Sequence, residues 1–101
     1  MRLLVVSTPR GEIPPERLPP LLDAMLEWYD RYQGKLDAFG SFIGGGGFGV
    51  VDVADENELH QMMLEMPFSP FSNTEIRPFV ADAAGIHRAK EAFAAMAAAM
   101  S

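Results

Sequence analysis

An α+β fold of the ferredoxin-like kind is predicted by three observations. The first half of the chain carries a β-branched run, then one long amphipathic helix, then two strand-like runs parted only by glycines. The second half adds a capped helix followed by a strand-like run that contains a proline. The resulting order, strand-helix-strand-strand-helix-strand, is the ferredoxin-like arrangement, in which two helices cover one face of the sheet and leave the other bare.

Each element has a local cause. Residues 2 to 7, RLLVVS, form a short β-branched run that Thr8, Pro9 and Gly11 stop. Leu3, Leu4, Val5 and Val6 are apolar on both faces, so the face that the helices do not reach also needs a cover. From Pro19 or Pro20, both tolerated in a first turn, a helix should run to about Gln33 and stop at Gly34. At about 100° per residue, Leu18, Leu21, Leu22, Met25, Leu26, Trp28, Tyr29 and Tyr32 share one face, with Asp23, Glu27, Asp30 and Arg31 opposite. That face is wide enough to cover a sheet.

Residues 36 to 43 and 47 to 54 read as the two strands of a hairpin. In the second, Phe48, Val50 and Asp52 point one way and Gly49, Val51 and Val53 the other. Asp55 can cap the next helix and Glu58 can answer it. That helix carries Leu59, Met62, Met63 and Met66 on one face and ends at Pro67. The run TEIRPFV, residues 74 to 80, is confined by Pro78 to an edge or a bulge. We therefore expect a ferredoxin-like domain over residues 1–82 and a helical extension over 83–101. In the extension Ile86, Phe93, Met96 and Met100 make a sparse apolar stripe, too weak for a core of its own and suited to docking on this subunit or a neighbour.

Composition narrows the function. A chain of 101 residues fits one domain, for which oligomerisation is a natural supplement. The formal charge of -6 offers no basic patch for phosphates, which argues against nucleic acid as a partner. With no cysteine, disulfides, thiolate nucleophiles and cysteine-ligated zinc are all excluded, a pattern compatible with a reducing compartment. The N-terminal apolar run is too short for a signal peptide and no stretch approaches a membrane span, so a cytoplasmic location without membrane partners is expected.

Gly44, Gly46 and Gly49 fall at the spacing G-x-G-x-x-G, the pattern of a dinucleotide-binding loop. That loop needs a helix directly after the glycine turn to receive the pyrophosphate. Here a strand follows, so no cofactor is expected, and the glycines up to Gly47 serve the hairpin turn. Gly49 lies inside the strand, where a glycine marks a bulge or the close approach of a ligand or another backbone.

Over residues 47 to 80 the chain resembles the muconolactone delta-isomerase family. The resemblance lies in the strand ending VVDV, the helix phrase ELHQMMLEMP, the loop PFSPF and the edge strand with Glu75. It implies a ferredoxin-like subunit that pairs sheet to sheet as a dimeric α+β barrel, often in larger rings. It also implies cofactor-free proton transfer on a lactone of aromatic breakdown, in a mostly apolar cleft completed by another subunit. The N-terminal third departs from the family pattern, with PRGEIPPERLPP and the cluster Trp28, Tyr29, Tyr32 being this chain's own.

Proton transfer beside a carbonyl needs a base and donors for the enolate oxygen. His60 lies at the edge of the face made by Leu59, Met63 and Met66, at the matching position of the ELHQ phrase. It is either an acid/base facing a cleft or a structural histidine bonded to a backbone carbonyl. Asp52, beside Phe48 and Val50, is either a carboxylate in an apolar pocket or a strand-end residue bonded to loop amides. Tyr29 and Tyr32 offer phenols or fill the core, and Trp28 could stack on a flat substrate or cover a subunit contact. Arg77, on the same strand face as Glu75, could hold a substrate carboxylate or form a subunit ion pair. His87 with His60 makes no metal spacing, so no metal is expected.

These residues point to a cofactor-independent isomerase acting on a small lactone or another enolisable product of aromatic catabolism or natural-product biosynthesis. Two alternatives use the same fold: a non-catalytic oligomeric binding or assembly protein, and a cofactor-free oxygenase or cyclase. A small-molecule substrate and a homo-oligomer, dimer or higher, are the expected partners. Catalysis predicts a titratable group inside a closed pocket, and binding alone predicts an apolar cavity without one.

Overall fold

The computed structural model describes residues 1–100. Its strands are β1 (Arg2–Pro9), β2 (Leu36–Ser41), β3 (Gly47–Asp52) and β4 (Ser72–Pro78), and its helices are α1 (Leu18–Tyr32), α2 (Glu56–Glu65) and α3 (Ala84–Met100). They form one sheet in the order β2-β3-β1-β4 with every neighbouring pair antiparallel. The ferredoxin-like arrangement and the extra C-terminal helix are therefore present as the residue pattern predicts.

Register decides what faces the helices. Leu3 pairs with Val51 and Val5 with Gly49, so these residues share one face of the sheet. That face takes Trp28 from α1 and Leu59 and Met62 from α2, and with Val53 and Met66 they make the buried core. Leu4 pairs with Val50 and Val6 with Phe48, on the opposite face. Among the described residues no helix lies over them, and all four are half-buried. A bulge between Leu36 and Ala38 shifts the edge strand β2, sending Leu36 toward Val51 and Ala38 toward Val50. The proline-bearing run is the other edge strand, with Pro78 at its end.

Helix ends follow their local chemistry. Asp55 accepts from the Glu58 backbone N-H at 2.9 Å, the N-cap that the sequence suggests. The Glu58 carboxylate, expected to answer that cap, instead pairs with Lys35 at 2.8 Å. At the other end of α2, the Met66 N-H turns to the Met63 carbonyl at 3.3 Å, and side chains supply further donors to the last carbonyls. The buried Trp28 indole N-H donates to the Met62 carbonyl at 3.0 Å, and the Ser69 hydroxyl to that of Met63 at 2.6 Å. Trp28 thus joins α1 to α2 by a polar bond inside an apolar core.

The hairpin turn rests on glycine. Gly44, Gly45 and Gly46 have φ of 98°, 113° and 83°, the left-handed region that side chains disfavour. Gly47 is already the first residue of β3. α3 stands away from this layer, and the molecule measures 65 Å along its longest axis. Among the described residues no helix is long and apolar enough to cross a membrane.

Candidate functional site

Between the helices and the sheet, the packed core gives way to a cavity of about 670 Å³ toward the glycine turn. α1 forms one wall with Leu18, Leu22, Met25, Leu26, Trp28 and Tyr29. The sheet forms the floor with Val5, Ser7, Phe39, Gly49 and Val51, and the end of α2 and its following loop close a side with Met63, Met66, Phe68 and Phe71. The lining is predominantly apolar, with the hydroxyls of Tyr29, Ser7, Ser41 and Ser72 among its residues. Among the described residues no Asp, Glu, His, Lys or Arg belongs to it.

The aromatic side chains form a connected group. Phe39 lies 5.1 Å from the Tyr29 ring and 6.3 Å from the Trp28 ring, both tilted. Trp28 in turn stands 5.5 Å from Tyr32. Such tilted contacts hold the rings in fixed orientations and present a firm wall to a flat ligand. At the mouth, Leu22 and Leu26 are 54% and 64% exposed, so this end of α1 leaves its apolar face in solvent.

Gly49 has a place here that its strand position suggested. A Cβ at this position would meet Leu36 at 3.7 Å and Phe39 at 3.9 Å, ordinary contact distances. The missing side chain therefore leaves room in the cavity floor and relieves no clash. Trp28, Tyr29 and Gly49 are thus brought together on one cavity.

The other candidates lie elsewhere. Tyr32 donates its hydroxyl to Glu65, which Arg31 also holds at 2.8 Å and Gln61 at 3.2 Å. The bond from Tyr32 is the main cause that lowers the Glu65 carboxyl below its ordinary pKa, and the same bond, aided by burial, raises the Tyr32 phenol. Asp52 is exposed on the far face of the sheet, 3.5 Å from the Met1 amino group. Arg77 is exposed on that face too, donating to Glu75 at 2.6 Å within its own strand. His60 is exposed over a shallow depression whose lining includes Met63 and Met66, side chains that also line the cavity. A wall of methionine therefore lies between His60 and the cavity.

Several lining residues carried a weaker signal in the sequence. Phe68 and Phe71 belong to the PFSPF loop, and its two aromatics were available to be read as pocket residues. Phe39 was hidden by the bulge, because strict alternation from Leu36 puts it on the opposite face from the core. Among the described residues no three metal-ligating side chains come together.

A four-stranded antiparallel sheet with helices on one face and an apolar cavity beneath them defines this chain as a ferredoxin-like α+β fold with a cavity of small-molecule size. Two solved structures share its fold. Muconolactone isomerase superimposes with a TM-score of 0.69 at 19% identity, over 83% of this chain and 93% of that one. The 5-chloro-2-hydroxyhydroquinone dehydrochlorinase TftG from Burkholderia phenoliruptrix AC1100, solved with 2,5-dihydroxybenzoquinone, gives 0.66 at 18%, over 81% of this chain and 96% of that one. The likeness inferred from the strand, helix and loop phrases thus holds at the level of the fold. No protein-family model matches the sequence, and no curated protein matches it.

Proposed function

We propose that this chain is a cofactor-free enzyme that moves a proton on a small, flat, uncharged and enolisable molecule, of the kind met in aromatic breakdown. The observation that carries this is the cavity of about 670 Å³, walled by aromatic rings and with Tyr29 the one phenol among its lining residues. A phenol there can donate to the oxygen of a developing enolate, against a largely apolar lining. The absence of any cationic lining residue disfavours a ligand carboxylate, because a buried anion would be left without a partner. The two solved structures of this fold, an isomerase and a dehydrochlorinase bound to a quinone, support a substrate from the same chemistry.

The subunit is taken to act as a homo-oligomer. Leu4, Val6, Phe48 and Val50 form an uncovered apolar strip on the sheet, and a second sheet laid on it would make a barrel. Neither His60 nor Asp52 reaches the cavity of its own subunit, so either can act as the base only toward a neighbouring copy's site. Arg77 and Tyr32 are assigned to structural pairs, with Glu75 and Glu65.

The test is turnover of 5-chloro-2-hydroxyhydroquinone and of muconolactone by the wild type and by Tyr29→Phe. The proposal expects turnover of the neutral quinol in preference to the anionic lactone, and a loss of about tenfold or more in Tyr29→Phe. Binding of 2,5-dihydroxybenzoquinone without turnover of either compound would instead favour the second reading, a binding protein, for which a nearly uncharged lining is sufficient.

A further inference from the structure

Beside the glycine turn, three residues make a row across the cavity floor. Ser7 of β1 and Ser41 of β2 both pair with Gly47 of β3, so the three share one face of the sheet, and all line the cavity. With one strand between them, the backbones of the two serines stand roughly 10 Å apart, twice the spacing of neighbouring strands. Gly47 puts no side chain into that gap, and the gap cannot be filled: an added Cβ would lie 2.6 Å from the Gly40 carbonyl oxygen. Two residues along the strand, Gly49 sits between Val5 and Phe39 in the same way. The central strand is thus a trough free of side chains that starts between two hydroxyls and runs toward the contact of Phe39 with Tyr29. Ser7 is half-buried and Ser41 exposed, and among the described residues neither hydroxyl has a hydrogen-bond partner in the chain.

We propose that Ser7 and Ser41 are a second polar anchor in the cavity, and that together they hold two oxygens on neighbouring carbons of a flat ring lying over Gly47 and Gly49. The width of the gap sets this pattern. Each serine side chain advances by a single carbon before its hydroxyl, so the space between the two hydroxyls stays wider than the roughly 6 Å that two hydrogen bonds to one atom can span. One oxygen centred over Gly47 would therefore reach one serine at a time. Two oxygens side by side reach both, one to each. A serine hydroxyl donates and accepts, so the ring edge can be a diol, a hydroxyketone or a diketone. With no cationic side chain in the lining, those oxygens are held in uncharged form. The Tyr29 phenol is left for an oxygen at the opposite end of the ring. This rests on the proposed reaction for the site and deepens it, naming as its substrate class an uncharged ring with adjacent oxygens.

Catechol, resorcinol and hydroquinone carry two hydroxyls on the same ring at three spacings, so their binding, measured by titration calorimetry without air, isolates the spacing. Catechol should bind wild type at least about fivefold more tightly than either isomer, the worth of one further hydrogen bond. Ser7→Ala and Ser41→Ala should each bring the three isomers to within about twofold of one another, whereas Ser41→Thr, which keeps the hydroxyl, should retain the preference. Ser41 is exposed on an edge strand, so its substitutions leave folding intact and the comparison available. Equal binding of the three by wild type, binding of none, or a catechol preference that survives both alanine substitutions overturns the proposal. Turnover reads the reaction separately. A catechol preference in a protein that turns nothing over leaves the anchor standing and removes the reaction, and turnover without any isomer preference does the reverse.

Discussion

The two ends of the layer between helices and sheet are built from the same helix and differ in almost every physical respect. Toward the C-terminal end of α1, Trp28 is 3% exposed, Met62 is fully buried beneath it, and Val51 and Val53 close the floor. Toward the N-terminal end, Leu22 and Leu26 stand over a cavity whose floor includes Ser7 and Gly49. One end is packed for stability and the other is left unfilled. An apolar space of this size has the dimensions of a small-molecule site.

The largest effect should come from attacking the sealed end. Trp28→Ala removes the largest core side chain and leaves the Met62 carbonyl without its donor, so a loss of about 3–5 kcal/mol is expected. Urea unfolding reads this directly, and a loss under about 1 kcal/mol would mean that the end is not sealed as described.

The glycines give the next contrast, because they bound the open end for two different reasons. At Gly46, φ is 83° and an added Cβ would collide with the Ser7 carbonyl oxygen, so Gly46→Ala should cost about 1–2 kcal/mol or more. At Gly49 the added methyl meets only ordinary contacts, and Gly49→Ala should leave stability within about 0.5 kcal/mol. A larger Gly49→Leu should fold and fill part of the cavity, lowering binding of 2,5-dihydroxybenzoquinone. Equal costs at the two positions would erase the distinction between a turn glycine and a cavity glycine.

A titration sharpens the sealed end further. The bond from Tyr32 holds Glu65 below the ordinary carboxyl pKa of 4.5, so its stabilisation is present above that value and lost as pH falls through the depressed one. The Tyr32 phenol is raised above 10.0, so its share is present below that pH and lost as pH rises through the raised value. The gap in melting temperature between wild type and Tyr32→Phe should therefore be a few degrees between about pH 5 and 9 and shrink outside that range at both ends. A gap that does not vary with pH would show that the phenol acts through packing alone.

How much of this was legible in the sequence follows the same division. The sealed end was readable because it obeys periodicity: alternation set Val51 and Val53 against Phe48 and Asp52, and the helical step put Trp28 with Leu21 and Met25. The Asp55 cap and the edge strand at Pro78 were readable because each rests on one residue's local chemistry. The open end was not, since a cavity is the absence of side chains where two periodic faces diverge. His60 and Asp52 were singled out for their chemistry, and periodicity alone could not show that a methionine wall and a strand face separate them from the cavity. Gly49 was the exception, because a glycine within a strand is a local signal for missing volume.

The smallest expected effect is at the mouth itself. Leu22→Ala removes a side chain that is already 54% exposed in the single chain, so at low protein concentration stability should change by no more than about 0.5 kcal/mol. The same substitution at Met62, fully buried, should cost about 2–5 kcal/mol, because the neighbours cannot close the space left behind. Concentration makes the comparison decisive. If a second copy covers the mouth, raising the protein concentration stabilises wild type by mass action and stabilises Leu22→Ala less, so the gap between them widens. If the gap stays constant over a hundredfold range of concentration, Leu22 meets only water at every concentration, and the open end is open to ligand alone.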